Sequence, residues 1–379
     1  MDTHTLPTPC FVVDEALIQH NLQVLSGVMQ RTGCKILLAQ KAFSMFALYP
    51  LVGRYLSGCT ASGLYEARLC HEEMPGGENH VFSAAYRPDE FAQIANICSH
   101  IVFNSFAQLE QYAPTALAKG RSIGLRVNPQ HSTQSGSGIY DPCAPGSRMG
   151  VTLEQFRPDS LEKHSVQGLH FHTLCEQNAG DLLSTVAVFE EQFGQYIPSM
   201  KWLNLGGGHH ITREDYDLPA LEGCLTHLRD KYGVQVYLEP GEAIALNAGF
   251  LLTTVLDIVR NGDTQIAILD TSAACHMPDV IEMPYRPPLR GSGQPGQLAH
   301  TYNLAGPTCL AGDVIGSYSF EAPLEIGQRL TFEDMAIYSM VKTNTFNGMA
   351  LPTIALREKS GNCLIVKQFG YGDFKGRLS

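Results

Sequence analysis

The sequence predicts a (β/α)8 barrel followed by a second, mostly antiparallel β domain. Three patterns in the 379 residues support this fold class: β-rich runs alternate with helical stretches, eight such runs follow one another, and the alternation then stops. Strands that alternate with helices imply parallel strands joined by helical crossovers. Eight such units in about 240 residues are typical of a closed barrel, whereas an open doubly wound sheet more often has five or six strands.

The predicted barrel strands are short apolar runs with a regular spacing. The first five begin 20 to 24 residues apart, and segments with apolar residues at three- and four-residue spacing separate them. The last three follow at longer intervals, so we expect the barrel domain to cover residues 11–246. The eight predicted strands are 36–40, 56–62, 80–85, 100–105, 122–129, 166–174, 201–208 and 235–241.

One connection in the predicted barrel is unusually long. Residues 130–150 are rich in Gly, Ser and Pro and lack apolar periodicity. A loop of this length in a compact domain is usually functional or disordered. After residue 246 the pattern changes to β segments without intervening helices, at 250–259, 265–272, 328–338, 353–358 and 363–369. We expect residues 247–379 to form the second β domain, joined by residues 1–10.

The composition excludes several classes of function. The chain has 37 Asp and Glu against 26 Lys and Arg, a net charge of −11, which disfavours nucleic acid and favours a cationic small molecule. No apolar run approaches the roughly 18 residues of a membrane span, and the start lacks signal features, so we expect a cytoplasmic protein without membrane partners. The 11 cysteines include no C-x-x-C pair, which argues against disulfides and zinc knuckles.

Unusual residues fall at the C-terminal ends of the predicted strands, where barrel enzymes place their catalytic groups. Lys41 follows the first strand, His172 lies near the end of the sixth, Gly206-Gly207-Gly208 closes the seventh, and Glu239-Pro240-Gly241-Glu242 closes the eighth. The apolar run before Lys41 favours a buried lysine with a lowered pKa, suited to attack on a carbonyl carbon. The three glycines could form a tight turn or let backbone N–H groups approach a phosphate.

Glu239 and the histidines allow more than one interpretation. Glu239 could cap local backbone, or it could point into the barrel mouth and pair with a cationic ring nitrogen. His170 and His172 share one strand face, and His209 and His210 add to a possible metal site. No acidic residue lies at a convincing ligand spacing, so we expect no metal. A lysine, glycines, a carboxylate and a stacking ring together indicate a pyridoxal 5'-phosphate site.

Eight segments, spread in order over almost the whole chain, resemble one enzyme family. They are LLAQKAF (37–43), IYDPCAPGSRMGV (139–151), GLHFHTLCEQ (168–177), NLGGGHHI (204–211), LEPGEA (238–243), LDTSAACHMPDVIEMPYRP (269–287), AGPTCLAGD (305–313) and VKTNTFNGM (341–349). The chain resembles the alanine-racemase-fold decarboxylases that depend on pyridoxal phosphate, a group that includes ornithine, diaminopimelate, carboxynorspermidine and carboxyspermidine decarboxylases. The resemblance implies this cofactor and a homodimer with shared active sites.

The resemblance also implies roles for individual barrel residues. Lys41 would bond covalently to the cofactor, His172 would stack on its ring, and Glu239 would pair with its pyridine nitrogen. All three would take part in catalysis. The glycines that would bind its phosphate are Gly207, Gly208 and Gly241.

Two residues of the second domain receive roles in the same way. Cys309 would reach the neighbouring subunit's active site and return a proton to the carbon that loses CO2. Tyr338 would help to bind the phosphate across the dimer. Cys309 could instead be an ordinary buried thiol, but the glycines and proline around it indicate an exposed loop.

Departures from the wider group bear on the substrate. Glu242 stands where the ornithine and diaminopimelate enzymes have an arginine, and Leu310 stands where they have an acidic residue. Glu242, Asp279, Glu282 and Asp313 are the acidic candidates for binding a cationic substrate, although each could be a solvated or capping carboxylate. These differences predict a polyamine amino acid, carboxynorspermidine or carboxyspermidine, as the substrate.

Three other functions stay open. A diaminopimelate decarboxylase would share the barrel and the cofactor, but Leu310 departs from that enzyme's acidic residue. A non-catalytic carrier of pyridoxal phosphate would be built on a similar barrel, usually without a second β domain. A metal-dependent barrel hydrolase would bind a metal ion and be colourless.

Overall fold

The chain forms two compact units in a computed structural model that describes residues 3–134 and 138–379. The barrel unit is Gln19–Ile244, and the sheet unit combines the segment that ends at Ile18 with Ala245–Ser379. The division predicted from the sequence lies between residues 246 and 247. Within the long loop predicted at 130–150, residues 135–137 lie outside the described part of the chain.

Strands and helices are numbered along the chain. The strands are β1 Cys10–Asp14, β2 Lys35–Ala39, β3 Gly58–Ala61, β4 Glu78–Phe82, β5 His100–Phe103, β6 Ser122–Arg126, β7 Gly168–His170, β8 Trp202–Asn204, β9 Gln235–Leu238, β10 Gly249–Asn261, β11 Thr264–Leu269, β12 His300–Ala305, β13 Val314–Phe320, β14 Arg329–Glu333, β15 Thr353–Arg357 and β16 Cys363–Lys367. The helices are α1 Glu15–Thr32, α2 Tyr49–Val52, α3 Leu64–Glu73, α4 Pro88–Ile97, α5 Phe106–Ala118, α6 Pro158–Lys163, α7 Ala179–Phe193, α8 Leu218–Tyr232, α9 Glu242–Ala245, α10 Ala273–His276, α11 Asp279–Glu282, α12 Ser339–Lys342 and α13 Tyr371–Gly376.

The barrel unit confirms the predicted fold class. Strands β2 to β9 close into a ring in which every neighbouring pair is parallel, and β9 returns to β2 through the pairs Lys35↔Tyr237 and Ile36↔Leu238. The connecting helices begin at side-chain caps where the sequence supplies them. Ser105 caps α5, Asn178 and Asp181 form a capping box at α7, and Asp217 caps α8. Because all neighbouring strands of the barrel are parallel, the eight strands direct their C-terminal ends to one rim.

The barrel interior is filled around the single tryptophan. Trp202 belongs to a buried apolar cluster with Leu37, Val102 and Tyr237. Its indole Nε1 donates to the Ser122 hydroxyl at 2.8 Å, which satisfies the buried N–H. The indole ring packs against β6 and β7 at positions where only glycine leaves enough room.

The sheet unit is mixed but mostly antiparallel, as predicted. Its strand order is β13-β12-β11-β10-β1-β15-β16, and β14 also pairs with β10. Within this sheet, the pairs β1–β15 and β11–β12 are parallel and the other described pairs are antiparallel. The sequence predicted strands in the regions of β10, β11, β14, β15 and β16. It did not predict β12 and β13, which flank the loop that contains Cys309. Among the described residues, none of the helices combines the length and apolar character needed to cross a membrane.

We predict that Gly168→Ala destabilises the barrel. A Cβ at this position would lie 2.1 Å from Trp202 Cδ2, so the ring and the strand must move apart. Overpacking of this kind costs about 1 to 3 kcal/mol, and the urea midpoint followed by Trp202 fluorescence should fall.

The matched control is Gly223→Ala in α8, where a Cβ would meet nothing within 4 Å. Removing a helical glycine should raise stability by up to about 1 kcal/mol. Equal midpoints for the wild type and Gly168→Ala would contradict the packing described for Trp202.

Candidate active site

Polar side chains gather at the rim formed by the C-terminal ends of the barrel strands. Lys41 follows β2, His170 ends β7, His172 lies two residues beyond it, and Glu239 follows β9. The barrel topology brings these residues together although up to 198 positions separate Lys41 from Glu239 in the chain. The sequence analysis identified all four positions.

Glu239 is a buried carboxylate, with 7% of its surface exposed. Asn204 Nδ2 donates to Glu239 Oε1 at 2.6 Å, and His170 Nε2 lies 3.5 Å from Oε2. Burial alone would raise the pKa of Glu239, but His170, the charge of His80 and the Asn204 amide together lower it to about 2. Burial lowers the pKa of His170, so at neutral pH the pair is a carboxylate beside a neutral imidazole.

Lys41 differs from the expectation in one respect. The residue is exposed to solvent rather than buried, although Ala42 and Phe43 directly after it are buried. Surrounding protein atoms still desolvate the amine in part, and this effect, followed by the charge of Arg126, lowers the pKa of Lys41. The charges of Glu239 and Glu242 oppose the shift. As a consequence, a larger share of the Lys41 amine is neutral, and the neutral amine is the nucleophilic form.

The ring of His172 is fixed in orientation. The Gly207 N–H donates to His172 Nδ1 at 3.2 Å, so Nδ1 carries no proton and any ring proton is on Nε2. Burial, followed by the charges of Lys41 and Arg126, lowers the pKa of His172 well below its usual value. The imidazole is therefore neutral and held in one position, as a stacking group requires.

Arg126 is a residue that the sequence analysis missed. It ends β6, is buried, and lies with its guanidinium carbon 4.5 Å from the centre of the Phe82 ring. Its Nη2 donates to the carbonyl oxygen of His172 at 2.9 Å. Burial lowers its pKa to about 10, so it stays charged at neutral pH. The signal was a single arginine at the end of an otherwise apolar strand, the position at which barrel enzymes place functional groups.

The three glycines serve close packing of the rim loops. Gly206 and Gly208 have φ values of +72° and +83°, which favour glycine. A Cβ on Gly207 would lie 2.1 Å from the Glu239 carbonyl oxygen, and one on Gly208 would lie 1.9 Å from that of Leu174. These glycines are thus required by the protein's own backbone, in addition to any role toward a phosphate.

The histidines after the glycines point to different partners. His209 Nδ1 lies 2.7 Å from the Tyr216 hydroxyl, whereas His210 Nε2 lies 2.6 Å from Glu242 Oε2. Glu242 is therefore paired with His210, and its predicted contact with substrate stays a prediction. The sequence could not reveal this pairing, because the two residues lie on different loops.

The rim fits pyridoxal phosphate in its chemistry. It supplies a lysine with a lowered pKa, an ionised carboxylate and a fixed neutral imidazole. Several buried polar atoms also lack any hydrogen-bond partner among the described residues, as in a site that is completed by a bound molecule. These atoms are both ring nitrogens of His170, Oγ1 of Thr173 and Nε2 of His209.

The Cys309 loop is the corresponding feature of the sheet unit. Cys309 is exposed, and its N–H donates to Asn347 Oδ1 at 2.7 Å. Asp313, at 2% exposure, accepts hydrogen bonds from Ser272 Oγ at 3.0 Å and from Thr308 Oγ1 at 2.7 Å. Asp313 therefore anchors this loop, and its predicted contact with substrate stays a prediction.

The remaining predicted residues of the sheet unit also have partners. Lys342 Nζ lies 2.5 Å from Asp279 Oδ1 and 2.8 Å from Glu282 Oε2. The same ammonium lies 5.9 Å from the centre of the Tyr338 ring. The two carboxylates are thus neutralised in part by Lys342, and Tyr338 lies beside them.

Comparisons with known proteins agree with this chemistry. A sequence profile for the pyridoxal-dependent decarboxylases, described as their C-terminal sheet domain, matches residues 10–336. The chain is 41% identical to the carboxynorspermidine/carboxyspermidine decarboxylase of Campylobacter jejuni over 383 residues, 98% of each chain. It is 40% identical to the carboxyaminopropylagmatine decarboxylase of a Synechocystis species over 375 residues, 99% of this chain and 96% of that protein.

A solved structure shows the same similarity in three dimensions. The crystal structure of carboxynorspermidine decarboxylase from Campylobacter jejuni, complexed with norspermidine, superposes with a TM-score of 0.91 at 40% identity. The match covers 98% of this chain and all of the other.

We predict that Asp313→Ala loosens the Cys309 loop. The substitution leaves the Ser272 and Thr308 donors without an acceptor, which should lower the free energy of unfolding by about 2 to 4 kcal/mol. Hydrogen exchange measured by mass spectrometry should become faster in residues 306–313. The control is Asp263→Ala, because that side chain is fully exposed. Unchanged exchange in residues 306–313 would contradict the anchoring role.

Proposed function

Because the chain belongs to the family of pyridoxal-dependent decarboxylases, we propose that it decarboxylates carboxynorspermidine or carboxyspermidine, forming norspermidine or spermidine in polyamine biosynthesis. The observation that carries this proposal is the 41% identity, over 98% of both chains, to an enzyme named for those two substrates. The net charge of −11 supports a cationic substrate. The proposal replaces the metal-dependent hydrolase and the non-catalytic carrier as interpretations.

The proposed chemistry depends on Glu239. Pyridoxal phosphate, when bound, supplies an electron sink for the electron pair left behind as CO2 departs. Glu239 would face the pyridine nitrogen, and its low pKa keeps the carboxylate ionised at neutral pH. An ionised partner keeps a proton on that nitrogen, which makes the ring a stronger electron acceptor.

Lys41, His172 and Arg126 prepare the other parts of the site. The lowered pKa of Lys41 favours the neutral amine, which is the form that would bond covalently to pyridoxal phosphate. His172 would hold the ring plane, since the Gly207 N–H fixes its orientation. Arg126 positions His172 through the hydrogen bond that it donates to the His172 carbonyl oxygen, and it adds positive charge near Lys41. The phosphate would be bound by Gly207, Gly208 and Gly241.

The proton that replaces CO2 would come from Cys309. The thiol is exposed on an anchored loop, and the family resemblance places it in the active site of a neighbouring subunit. We therefore propose a homodimer in which Cys309 and Tyr338 of one subunit complete the site of the other. Asp279 and Glu282 would bind the ammonium groups of the substrate. These groups would displace Lys342 from the two carboxylates or share the carboxylates with it.

A second candidate substrate is carboxyaminopropylagmatine. It is favoured by the 40% identity to the Synechocystis enzyme named for that substrate. Both candidates join an amino acid end to a long cationic chain, but an agmatine tail ends in a planar guanidinium rather than an ammonium. Which of the two substrates the enzyme prefers depends on the acidic residues that bind the end of the substrate far from the amino acid.

A substrate panel tests the proposed function. Purified protein with pyridoxal phosphate is given carboxynorspermidine, carboxyspermidine, carboxyaminopropylagmatine or meso-diaminopimelate, and CO2 release and product amine are measured. We expect kcat/KM for the first two to exceed that for diaminopimelate by at least about 100-fold, because a second carboxylate would meet acidic groups.

The panel carries its own controls. Lys41→Ala should remove activity and the absorbance band of the covalently bound cofactor, whereas Lys119→Ala, an exposed residue after α5, should change neither. Highest activity on carboxyaminopropylagmatine would favour the second candidate. Highest activity on diaminopimelate would contradict both.

We predict that Cys309→Ala slows decarboxylation and alters the product. Loss of a positioned proton donor costs about 100-fold or more in kcat. In D2O the wild type should place one deuterium in a single configuration at the carbon that lost CO2, whereas the variant should give a mixture detectable by NMR. Cys309→Ser, which keeps the shape but is a poorer acid, should be intermediate. Unchanged rate and configuration in Cys309→Ala would refute the assigned role.

A further inference from the structure

One buried ionisable pair at the barrel rim has no part in the chemistry described above. His210 Nε2 lies 2.6 Å from Glu242 Oε2, and each side chain keeps only 10% of its surface exposed. A buried ion pair seldom stabilises a protein more than apolar residues of the same size, because both charges lose their hydration. A pair of this kind is therefore a candidate for function.

The pair joins the loops that follow the last two barrel strands. His210 follows the glycine turn of residues 206–208 by two positions, and Glu242 begins α9 after β9. Thr212 Oγ1 donates to the Ala243 carbonyl oxygen at 2.6 Å, which ties the two loops together. In (β/α)8 barrels, these two loops are a frequent position for a phosphate group.

The pair leaves hydrogen-bond donors available. Glu242 occupies Nε2 of His210, whereas Nδ1 makes no hydrogen bond to residues 3–134 or 138–379. The amide of Gly208 likewise has no acceptor within those ranges. A protonated His210 would thus offer one N–H two residues from a free backbone amide, and such a set of donors suits an anion.

The surrounding charges favour protonation of His210. Burial acts to lower its pKa, but the hydrogen bond and charge of Glu242, with the charge of Glu176, outweigh burial and the charge of Arg213 and raise it. The adjacent His209 stays neutral, because burial and the charge of His210 lower its pKa to about 3. His210 is therefore the histidine of this loop whose charged form the surroundings favour.

We propose that the His210–Glu242 pair is the charge partner of the phosphate group of pyridoxal phosphate. Glu242 keeps His210 protonated, and His210 donates its Nδ1–H to a phosphate oxygen in a charge-assisted hydrogen bond. The inference rests on the pyridoxal-phosphate dependence in the proposed function. It gives Glu242 a role toward the cofactor, through His210, in place of the substrate contact predicted from the sequence.

Two probes that differ only in the phosphate test this proposal. Protein freed of cofactor is titrated with pyridoxal phosphate or with pyridoxal, and binding is followed by absorbance and by Trp202 fluorescence. In His210→Gln the dissociation constant for pyridoxal phosphate should rise about tenfold while that for pyridoxal stays unchanged. The control is His227→Gln, an exposed histidine paired with Glu190 at 3.3 Å, which should change neither constant.

The pH dependence separates the roles of the two residues. In the wild type, the preference for pyridoxal phosphate over pyridoxal should be present at neutral pH and fall as pH rises through the raised pKa of His210. Glu242→Gln removes the group that raises this pKa, so the preference should fall at a lower pH. His210→Arg should keep the preference throughout, because arginine stays charged.

Equal losses for both probes in His210→Gln, or no loss for either, would overturn the proposal. If Glu242→Gln does not fold, the His210→Gln and His210→Arg variants decide the question without it. Failure of both probes to bind the wild type would refute the proposed cofactor dependence as well. Binding of both probes with an unaltered preference would refute only the role of the pair.

Discussion

A buried, ionised carboxylate at the end of β9 is the constraint around which the barrel rim is arranged. Glu239 can stay ionised in the interior because the Asn204 amide donates a hydrogen bond to it and the His170 ring lies 3.5 Å away. Asn204 also accepts the Gly206 N–H at 2.9 Å, so the same amide fixes the turn after β8. A carboxylate buried without these partners would take up a proton instead. The position of Gly207, packed against the Glu239 carbonyl, follows from this arrangement.

The remaining charges of the rim are set relative to that carboxylate. Arg126 lies at the end of β6, and its charge helps to lower the pKa of Lys41. His172, held by the Gly207 N–H, is neutral and oriented. Each of these features gives the family's reaction a physical basis: an ionised partner for a ring nitrogen, a nucleophilic amine and a flat ring in a fixed position. Within the sheet unit, the thiol of Cys309 is exposed on a loop that Asp313 anchors.

Local patterns were sufficient to predict most of the fold. The barrel strands are continuous apolar runs, because strands of a parallel barrel are buried on both faces, and such runs are visible in the sequence. Strands β12 and β13 were missed because their residues alternate between buried and partly exposed positions and include several polar side chains. Arg126 was missed for a related reason, since a charged residue in a strand resembles a solvent-facing position until the barrel closes around it.

Pairings between side chains that lie far apart in the chain could not be predicted from the sequence. The carboxylates at 242, 279 and 282 look equally available when only the sequence is known. In the structure Glu242 meets His210, 32 residues away, and Asp279 meets Lys342, 63 residues away. Such contacts depend on which loops the topology brings together, and they decide whether a carboxylate binds a substrate, holds a histidine or anchors a loop.

The protonation state of the cofactor's ring nitrogen tests the role of Glu239 most directly. The protein is loaded with pyridoxal phosphate labelled with 15N in the ring, and the 15N chemical shift is measured in the wild type and in Glu239→Gln. We expect the shift of a protonated pyridine in the wild type at neutral pH and that of an unprotonated pyridine in the variant. An unprotonated nitrogen in the wild type would contradict the account.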